Sequence, residues 1–186
     1  EKRIASEKIE NKTEENQIPS TVITIKEQTI KQNHNVSFNI NTKYLDHYNG
    51  LPELDYATHG SVGVDLYAAI DSDMKLKSLG SSIIVPTGIC IELPDFYEAQ
   101  IRSRSGLAAK HGVAVLNSPG TIDYDYRGEI KVILVKSTVG SFTVERGMRI
   151  AQMVIVGPIR KYSFNSVNTL NNTVRGEQGF GSSGML

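Results

Sequence analysis

The segment from Asn117 to Ile130 carries the most informative residue types of the chain, two closely spaced carboxylates beside an arginine. Asp123 and Asp125 lie two positions apart after a Ser-Pro-Gly turn signal, and Arg127 follows two positions later. Apolar residues precede the turn, so the pattern predicts a β-hairpin with these three side chains on one face of its second strand. Two carboxylates at this spacing indicate either a catalytic or cation-binding site, or an exposed strand end stabilised by salt bridges.

A second cluster, Arg102–Gly106, places two arginines and two serines immediately before a segment of good helix formers. The unpaired N–H groups at a helix start, together with an arginine and a hydroxyl, are suited to binding a phosphate. A capped helix with solvated arginines is the simpler interpretation of the same residues.

The C-terminal segment Arg175–Gly184 combines one arginine and one phenylalanine with four glycines. It lacks the lysine of a P-loop, which excludes that type of nucleoside triphosphatase. Its composition is compatible with a flexible tail or with a lid that wraps closely around a ligand.

The histidines and the single cysteine offer little chemistry. His34, His47, His59 and His111 show no metal-ligand spacing, so each is expected to lie at the surface or to be bonded locally. Cys90 lies in an apolar strand pattern and is expected to be a buried, inert thiol. One cysteine also excludes a disulfide within the chain.

The elements that must position these residues are mainly short strands. All 16 glycines lie beyond residue 35 and separate short β-branched runs, which predicts a sandwich or barrel. One short helix is predicted over Arg104–Gly112, from a serine start to a glycine stop. The predicted strands are Val36–Ile40, Ser61–Ala68, Ile83–Glu92, Glu98–Ile101, Glu129–Lys136, Phe142–Val144 and Arg149–Val156.

Composition separates an N-terminal extension from one folded domain. Residues 1–35 contain 12 charged and eight apolar residues and no aromatic residue, so we expect a disordered extension with at most a short strand at Thr21–Ile25. The alternative, an amphipathic helix over residues 1–15, is weaker because apolar residues are sparse there.

The charge balance and the hydropathy pattern exclude several classes of protein. The 20 basic residues balance the 20 acidic ones, which removes the broad attraction on which non-specific nucleic-acid and anionic-membrane binders depend. No run of about 18 apolar residues and no signal-peptide pattern is present. We therefore expect a cytoplasmic protein without nucleic-acid or membrane partners.

Five motifs, in sequence order, resemble those of the trimeric dUTP pyrophosphatase (dUTPase) family. They are Gly60–Ala69, Arg104–Ala108, Gly120–Gly128, Gly147–Gln152 and Arg175–Gly184. Together they span almost everything from residue 36 to the C-terminus. The departures from the family pattern are Val62, Met148, Gln178 and Ser183, where Ala, Asp, Gly and Thr are usual. Gln178 stiffens a loop that is meant to close over phosphates.

The resemblance implies a jelly-roll-like β-barrel over residues 36–170, which contains one short helix, and a flexible lid over residues 171–186. It also implies a homotrimer with active sites between subunits. It implies an Mg²⁺-dependent enzyme that hydrolyses dUTP to dUMP and pyrophosphate, which lowers dUTP and supplies dUMP for dTMP synthesis. Asp123 matches the carboxylate that activates the water attacking the α-phosphorus in line. Asp65 matches the carboxylate that reaches Mg²⁺ through a water.

The resemblance assigns the remaining site residues to substrate binding. Phosphate contacts are implied for Arg104, Ser105, Gly106, Gln152 and Arg175. The hairpin would pair with the uracil edge and exclude thymine and cytosine, and its matching positions are Asn117, Gly120, Thr121 and Ile122. Deoxyribose packing is implied for Tyr126, a substrate contact for Lys131, and stacking on the uracil from the ordered lid for Phe180, with Gly181 beside it.

Two rival interpretations remain. A dCTP deaminase of the same fold would remove the amino group of the base and leave the triphosphate intact. A dUTPase-like interaction domain would have lost catalysis, although it would have no physical need to keep Asp123, Tyr126, Arg175 and Phe180 together. Pyrophosphate or ammonia release from the different nucleotides separates these classes.

Overall fold

The computed structural model describes residues 39–179, where antiparallel strands and one α-helix surround an apolar core. The strands are β1 (Asn41–Tyr44), β2 (Val64–Tyr67), β3 (Met74–Leu76), β4 (Ser82–Pro86), β5 (Ile89–Glu92), β6 (Glu98–Arg102), β7 (Val113–Val115), β8 (Gly120–Ile122), β9 (Lys131–Lys136), β10 (Phe142–Val144) and β11 (Arg149–Val156). The helix α1 spans Ser105–His111, and a 3₁₀ turn spans Asp46–Tyr48. The predicted all-β fold with one short helix is confirmed.

The strands form four antiparallel sheets in the described part of the chain. Their orders are β2-β11-β6-β8, β4-β9-β7, β1-β5 and β10-β3. Alternate residues point inward, as the period-2 pattern requires, and the fully buried side chains include Leu66, Leu76, Ile89, Leu134 and Ile150. The four-stranded sheet matters most for the site, because β2, β6, β8 and β11 carry or precede most of the residues singled out above.

A β-bulge in β11 changes the face to which one arginine belongs. Arg149 lies opposite Tyr67, whereas Ala151 lies opposite Leu66, so Ile150 is an additional residue in the ladder. Without this bulge Arg149 would fall on the buried face of the sheet. With it, Arg149 shares the face of Gln152 and of the residue opposite Gln152, which is Asp65.

The helix agrees with its sequence signals. It ends at His111 and is capped by Gly112, whose φ of 58° is left-handed and whose N–H donates to the Ala108 carbonyl at 3.0 Å. A side chain at Gly112 would collide with Thr138, since an added Cβ would lie 2.4 Å from the Thr138 side chain.

The predicted strand Ile83–Glu92 is wrong as a single element. It divides at Thr87 and Gly88, because β4 pairs with β9 while β5 pairs with β1. Gly88 has a φ of +67°, and an added Cβ would lie 3.0 Å from the Cβ of Tyr48. The glycine therefore allows both the change of sheet and the close approach of the 3₁₀ turn.

The other strand predictions differ mainly at their ends. The strand predicted over Ser61–Ala68 is limited to β2, and the one over Glu129–Lys136 begins at Lys131. The strand predicted over Val36–Ile40 falls partly outside the described residues, and the described strand begins only at Asn41. Residues 1–35, including Thr21–Ile25, lie outside the described part of the chain.

Residues 157–179 contain no helix or strand, and most of their side chains are exposed. Within residues 39–179 no helix is long and apolar enough to cross a membrane.

Candidate active site

A cavity of about 330 Å³ opens where β2, β11 and the start of α1 meet. We call it the Arg104 cavity. Three different motifs contribute to its lining, which includes Asp65, Arg104, Ser105, Gly106, Arg149 and Gln152. The structure thus brings together the predicted metal-linked carboxylate and four of the predicted phosphate contacts.

Ion pairs hold the Arg104 cavity in shape. Arg104 Nε lies 2.8 Å from Asp65 Oδ1, and Arg149 Nη1 donates to Asp65 Oδ2 at 3.1 Å. Arg104 also donates to the Arg149 carbonyl at 3.1 Å. Two guanidinium groups against one carboxylate leave the cluster with a net positive charge, which suits an anionic ligand.

Gln152 is fixed by the strand end beside it. Its Nε2 donates to the Ser103 carbonyl at 3.0 Å, and the Ser103 hydroxyl accepts the Val115 N–H at 2.9 Å. The close packing requires Gly63, because an added Cβ there would lie 2.9 Å from Gln152 Oε1. The Gln152 carboxamide is therefore held in place by neighbouring groups of the protein.

The turn from Asn117 to Gly120 joins two sheets and does not close a hairpin, so that prediction is wrong. β7 pairs with β9, whereas β8 pairs with β6. Gly120 packs closely against the turn and against β6, since an added Cβ would lie 3.2 Å from Asn117 Nδ2 and 3.4 Å from the Cβ of Ile101. Thr121 and Ile122 follow in β8 with Thr121 opposite Gln100.

The predicted face shared by Asp123, Asp125 and Arg127 is also wrong. β8 ends at Ile122, and these three residues lie in a loop, so strand alternation does not apply to them. Arg127 donates to the Tyr124 carbonyl at 2.6 Å, and its guanidinium lies 3.6 Å from the Glu92 carboxylate. Within residues 39–179 neither aspartate takes part in an ion pair.

Asp123 lines a different cavity of about 330 Å³, here called the Asp123 cavity. Its other lining residues include Phe96, Tyr124, Asp125 and Lys161, and the Lys161 ammonium lies 5.1 Å from the centre of the Tyr124 ring. The Arg104 cavity and the Asp123 cavity share no lining residue in a single chain.

The loop over residues 123–130, here called the Tyr126 loop, continues towards β9. Tyr126 Oη donates to the Glu129 carbonyl at 3.0 Å. Gly128 makes this contact possible, because an added Cβ would lie 2.4 Å from Tyr126 Oη. Lys131 is half-exposed, and its Nζ lies 3.7 Å from Glu129 Oε2.

The Glu129 carboxylate, which the sequence analysis did not single out, is the most strongly bound acidic group of this loop. Its Oε1 lies 2.7 Å from His47 Nε2 and accepts the Gly88 N–H at 2.9 Å. Burial acts to raise the pKa of this carboxyl, but the hydrogen bonds from His47 and Gly88 and the charges of His47 and Lys131 outweigh it. The pKa of Glu129 therefore lies below its ordinary value.

Arg175, which belongs to the predicted lid, lines neither cavity in one chain. Arg175 Nε donates to the Gln178 carbonyl at 3.0 Å. No hydrogen bond or ion pair in residues 39–179 joins Arg175 to the Arg104 cavity. Phe180 and Gly181 lie outside the described residues.

Two residues near the predicted site were missed for different reasons. Arg149 lies inside a quoted motif, but only the bulge in β11 turns it towards Asp65. His47 was expected to be surface-exposed or locally bonded, and its bond to Glu129 joins residues 82 positions apart. Neither the bulge nor that contact leaves a signal in one sequence.

A magnesium ion fits the Arg104 cavity only through water and substrate. Asp65 Oδ2 already accepts one N–H from Arg149, and Oδ1 lies against the Arg104 guanidinium. An ionised carboxylate offers about four lone-pair sites, so each oxygen can also accept from a water. No group of three or more His, Cys, Asp or Glu in residues 39–179 is arranged to hold a metal ion. A hydrated Mg²⁺ held mainly by substrate phosphates matches this donor set.

A sequence profile of the dUTPase family matches residues 51–184, which is more than half of the chain. The chain belongs to the dUTPase family. A curated deoxyuridine 5'-triphosphate nucleotidohydrolase from Anaplasma marginale (strain St. Maries) is 54% identical over 135 residues, which cover 73% of this chain and 90% of the relative. The protein of the same name from Rickettsia bellii (strain OSU 85-389) is 53% identical over 147 residues, which cover 78% and 95%.

Solved dUTPase structures share the fold of this chain. A variant of the Staphylococcus bacteriophage 80alpha dUTPase, solved with dUpNHpp, matches with a TM-score of 0.69 and 23% identity over 80% of this chain and all of that chain. A variant of the dUTPase from phage phi11 of S. aureus, in which a structural Mg(II) ion is coordinated, matches with a TM-score of 0.63 and 17% identity over 73% of this chain and all of that chain. The expected jelly-roll-like dUTPase fold is confirmed.

Proposed function

We propose that this chain is a dUTP nucleotidohydrolase, which cleaves dUTP to dUMP and pyrophosphate. The observation that carries the proposal is its 54% identity over 90% of the length of a relative with that name. The geometry of the Arg104 cavity supports it, because an anion site with preformed donors is what a triphosphate requires.

The Arg104 cavity would bind the phosphates. Arg104 supplies positive charge and Ser105 supplies a hydroxyl. Gly106 supplies backbone with open space around it, and Gln152 supplies a side-chain amide that is fixed in place. Phosphoryl transfer needs positioning and charge stabilisation more than covalent chemistry, so donors already held by Asp65 and Ser103 suit the reaction. Mg²⁺ bound with the nucleotide would neutralise charge on the phosphate oxygens, with Asp65 reaching it through water.

Asp123 would hold the attacking water and accept its proton during in-line attack on the α-phosphorus. No ion pair within residues 39–179 engages its carboxylate, so its oxygens remain available to a water. Asn117, Gly120, Thr121 and Ile122 would present the uracil-pairing edge.

Tyr126 would pack on the deoxyribose where a 2′-hydroxyl would otherwise lie, and Lys131 would touch the substrate nearby. Because the half-exposed ring is fixed at its hydroxyl end, its open face is available to a sugar.

The complete site would require a homotrimer. One chain keeps the Arg104 cavity, the Asp123 cavity and Arg175 apart, and the reaction needs all three against one nucleotide. A neighbouring subunit would bring its Arg104 cavity to this chain's Asp123. The lid of a subunit other than the one that supplies Asp123 would add Arg175 to the phosphates and Phe180 to the uracil face, with Gly181 beside it.

The test is product analysis with dUTP, dCTP, dTTP and UTP in the presence and absence of Mg²⁺. We expect pyrophosphate and the nucleoside monophosphate from dUTP, with turnover falling when Mg²⁺ is chelated. Ammonia release from dCTP would make the chain a deaminase, and inertness towards all four nucleotides would make it a binding module.

A further inference from the structure

The contact between His47 and Glu129 lies outside the proposed catalytic machinery, yet it connects directly to the Tyr126 loop. The two side chains are largely shielded, with exposed fractions of 32% for His47 and 15% for Glu129. The same Glu129 oxygen accepts from His47 and from the Gly88 backbone. A carboxylate held by two donors fixes the end of the loop against the barrel.

The backbone of Glu129 in turn holds Tyr126. The tyrosine hydroxyl donates to the Glu129 carbonyl at 3.0 Å, and the missing side chain of Gly128 leaves room for it. Tyr126 as a whole is 44% exposed, so packing alone does not immobilise its ring. The ring is therefore positioned mainly through this hydrogen bond.

The His47 end of the contact is rigid. Arg146 donates to the carbonyls of His47 and Asn49 at 2.9 and 2.8 Å, and to that of Ile70 at 3.1 Å. The neighbouring Tyr48 is buried against Gly88. The 3₁₀ turn is thus bound to the barrel at His47 and at the two residues that follow it.

We propose that His47 and Glu129 form a positioning clamp that holds Tyr126 in place and thereby sets the discrimination between deoxyribonucleotides and ribonucleotides. The proposal rests on the proposed function, in which Tyr126 packs where a 2′-hydroxyl would lie. A ring that excludes one oxygen atom must be held to within a fraction of the size of that atom. Without the clamp the ring moves and admits the ribose.

The experiment compares kcat/KM for dUTP and UTP in the wild type, His47→Ala, Glu129→Ala and Glu129→Gln. The alanine variants remove the clamp, and we expect the dUTP-to-UTP preference to fall at least about tenfold. Glu129→Gln keeps an oxygen that can accept both N–H groups, so it should retain most of the preference. His111→Ala is the matched control, since it removes a histidine that packs on Phe142 and whose side chain forms no hydrogen bond or ion pair with the Tyr126 loop in the described residues.

A double variant distinguishes positioning from general loosening of the barrel. If the clamp acts through Tyr126, then His47→Ala should change the dUTP-to-UTP preference no further in a Tyr126→Ala background. Tyr126→Phe, an exposed substitution that removes only the hydroxyl, should also lower the preference, and it serves as the test if His47→Ala does not fold.

The outcomes are separable. An unchanged preference in folded His47→Ala or Tyr126→Phe overturns the clamp and leaves the proposed function intact. An equal loss of preference with and without Tyr126 also overturns it. Failure of the wild type to hydrolyse dUTP overturns the proposed function, and with it the role of the clamp.

Discussion

Asp123 and Asp125 lie in the same loop and both line the Asp123 cavity, yet only Asp123 is assigned a chemical role. Asp123→Asn should lower kcat for dUTP by roughly 10² to 10⁴, because an amide cannot accept the water's proton, while nucleotide binding is largely kept. Asp125→Asn is the matched control and should keep most of the activity. Near-normal turnover by Asp123→Asn, measured as pyrophosphate release, would remove Asp123 from the mechanism.

Glu129 gives a prediction about acid stability. Its pKa is lower in the folded chain than its ordinary value of 4.5, so ionisation favours the folded state above that value. This contribution should be present near neutral pH and lost as the pH falls through the folded pKa. The free energy of unfolding should therefore be measured from pH 7 to acid pH. The wild type should be more stable than Glu129→Gln near neutral pH and should lose that difference as the pH falls.

The matched control for this measurement is Glu145→Gln, which removes a carboxylate that forms no ion pair or side-chain hydrogen bond within residues 39–179. A stability difference between the wild type and Glu129→Gln that does not change with pH would contradict the assignment of the Glu129 contacts.

At the scale of elements, the predicted lid over residues 171–186 leads to a prediction that separates activity from stability. Truncation after Asn172 removes described residues that lie in no helix or strand and are almost all exposed. The melting temperature should hardly move. An arginine supplied to a phosphoryl-transfer transition state, together with closure over the site, supports an expected loss in kcat of at least roughly a hundredfold.

Arg175→Ala is the companion to the truncation, because it removes one side chain and leaves the rest of the lid. Full activity of the truncated chain would show that the segment is a passive tail with no role in catalysis. A large fall in its melting temperature would show that the segment is structural.

Elements with a strong local signal were predictable from the sequence. The helix, with its serine start and Gly112 stop, and the strands β10 and β11 agree with their predicted positions. The break at Gly88 was not predictable, because it depends on which strands β4 and β5 pair with. The hairpin failed for the same reason, since a turn signal at Pro119 does not reveal that its two flanks join different sheets.

The site residues show the same division between local and long-range information. Arg104, Ser105, Gly106, Gln152 and Asp65 were found through motifs, and the structure places them around one cavity. The partners that hold them were missed, because Arg149 depends on a bulge and Ser103 acts through its backbone carbonyl. Contacts between distant segments follow from tertiary packing, which a single sequence does not display.

At the scale of the whole molecule, the separation of Asp123, the Arg104 cavity and Arg175 in one chain is the basis for proposing shared active sites. In a homotrimer every interface is equivalent, so three identical sites would form. A site would then carry both defects only when its Asp123 comes from an Asp123 variant chain and its Arg175 comes from an Arg175 variant chain.

The most direct measurement is dUTP hydrolysis by trimers that contain both Asp123→Asn and Arg175→Ala chains, co-expressed with different tags and purified through both. If each site takes Asp123 and Arg175 from different subunits, every mixed trimer holds one intact site of three, and activity should recover to about a third of the wild type. Each variant alone should remain nearly inactive. Mixed assemblies no more active than the separate variants would contradict the account.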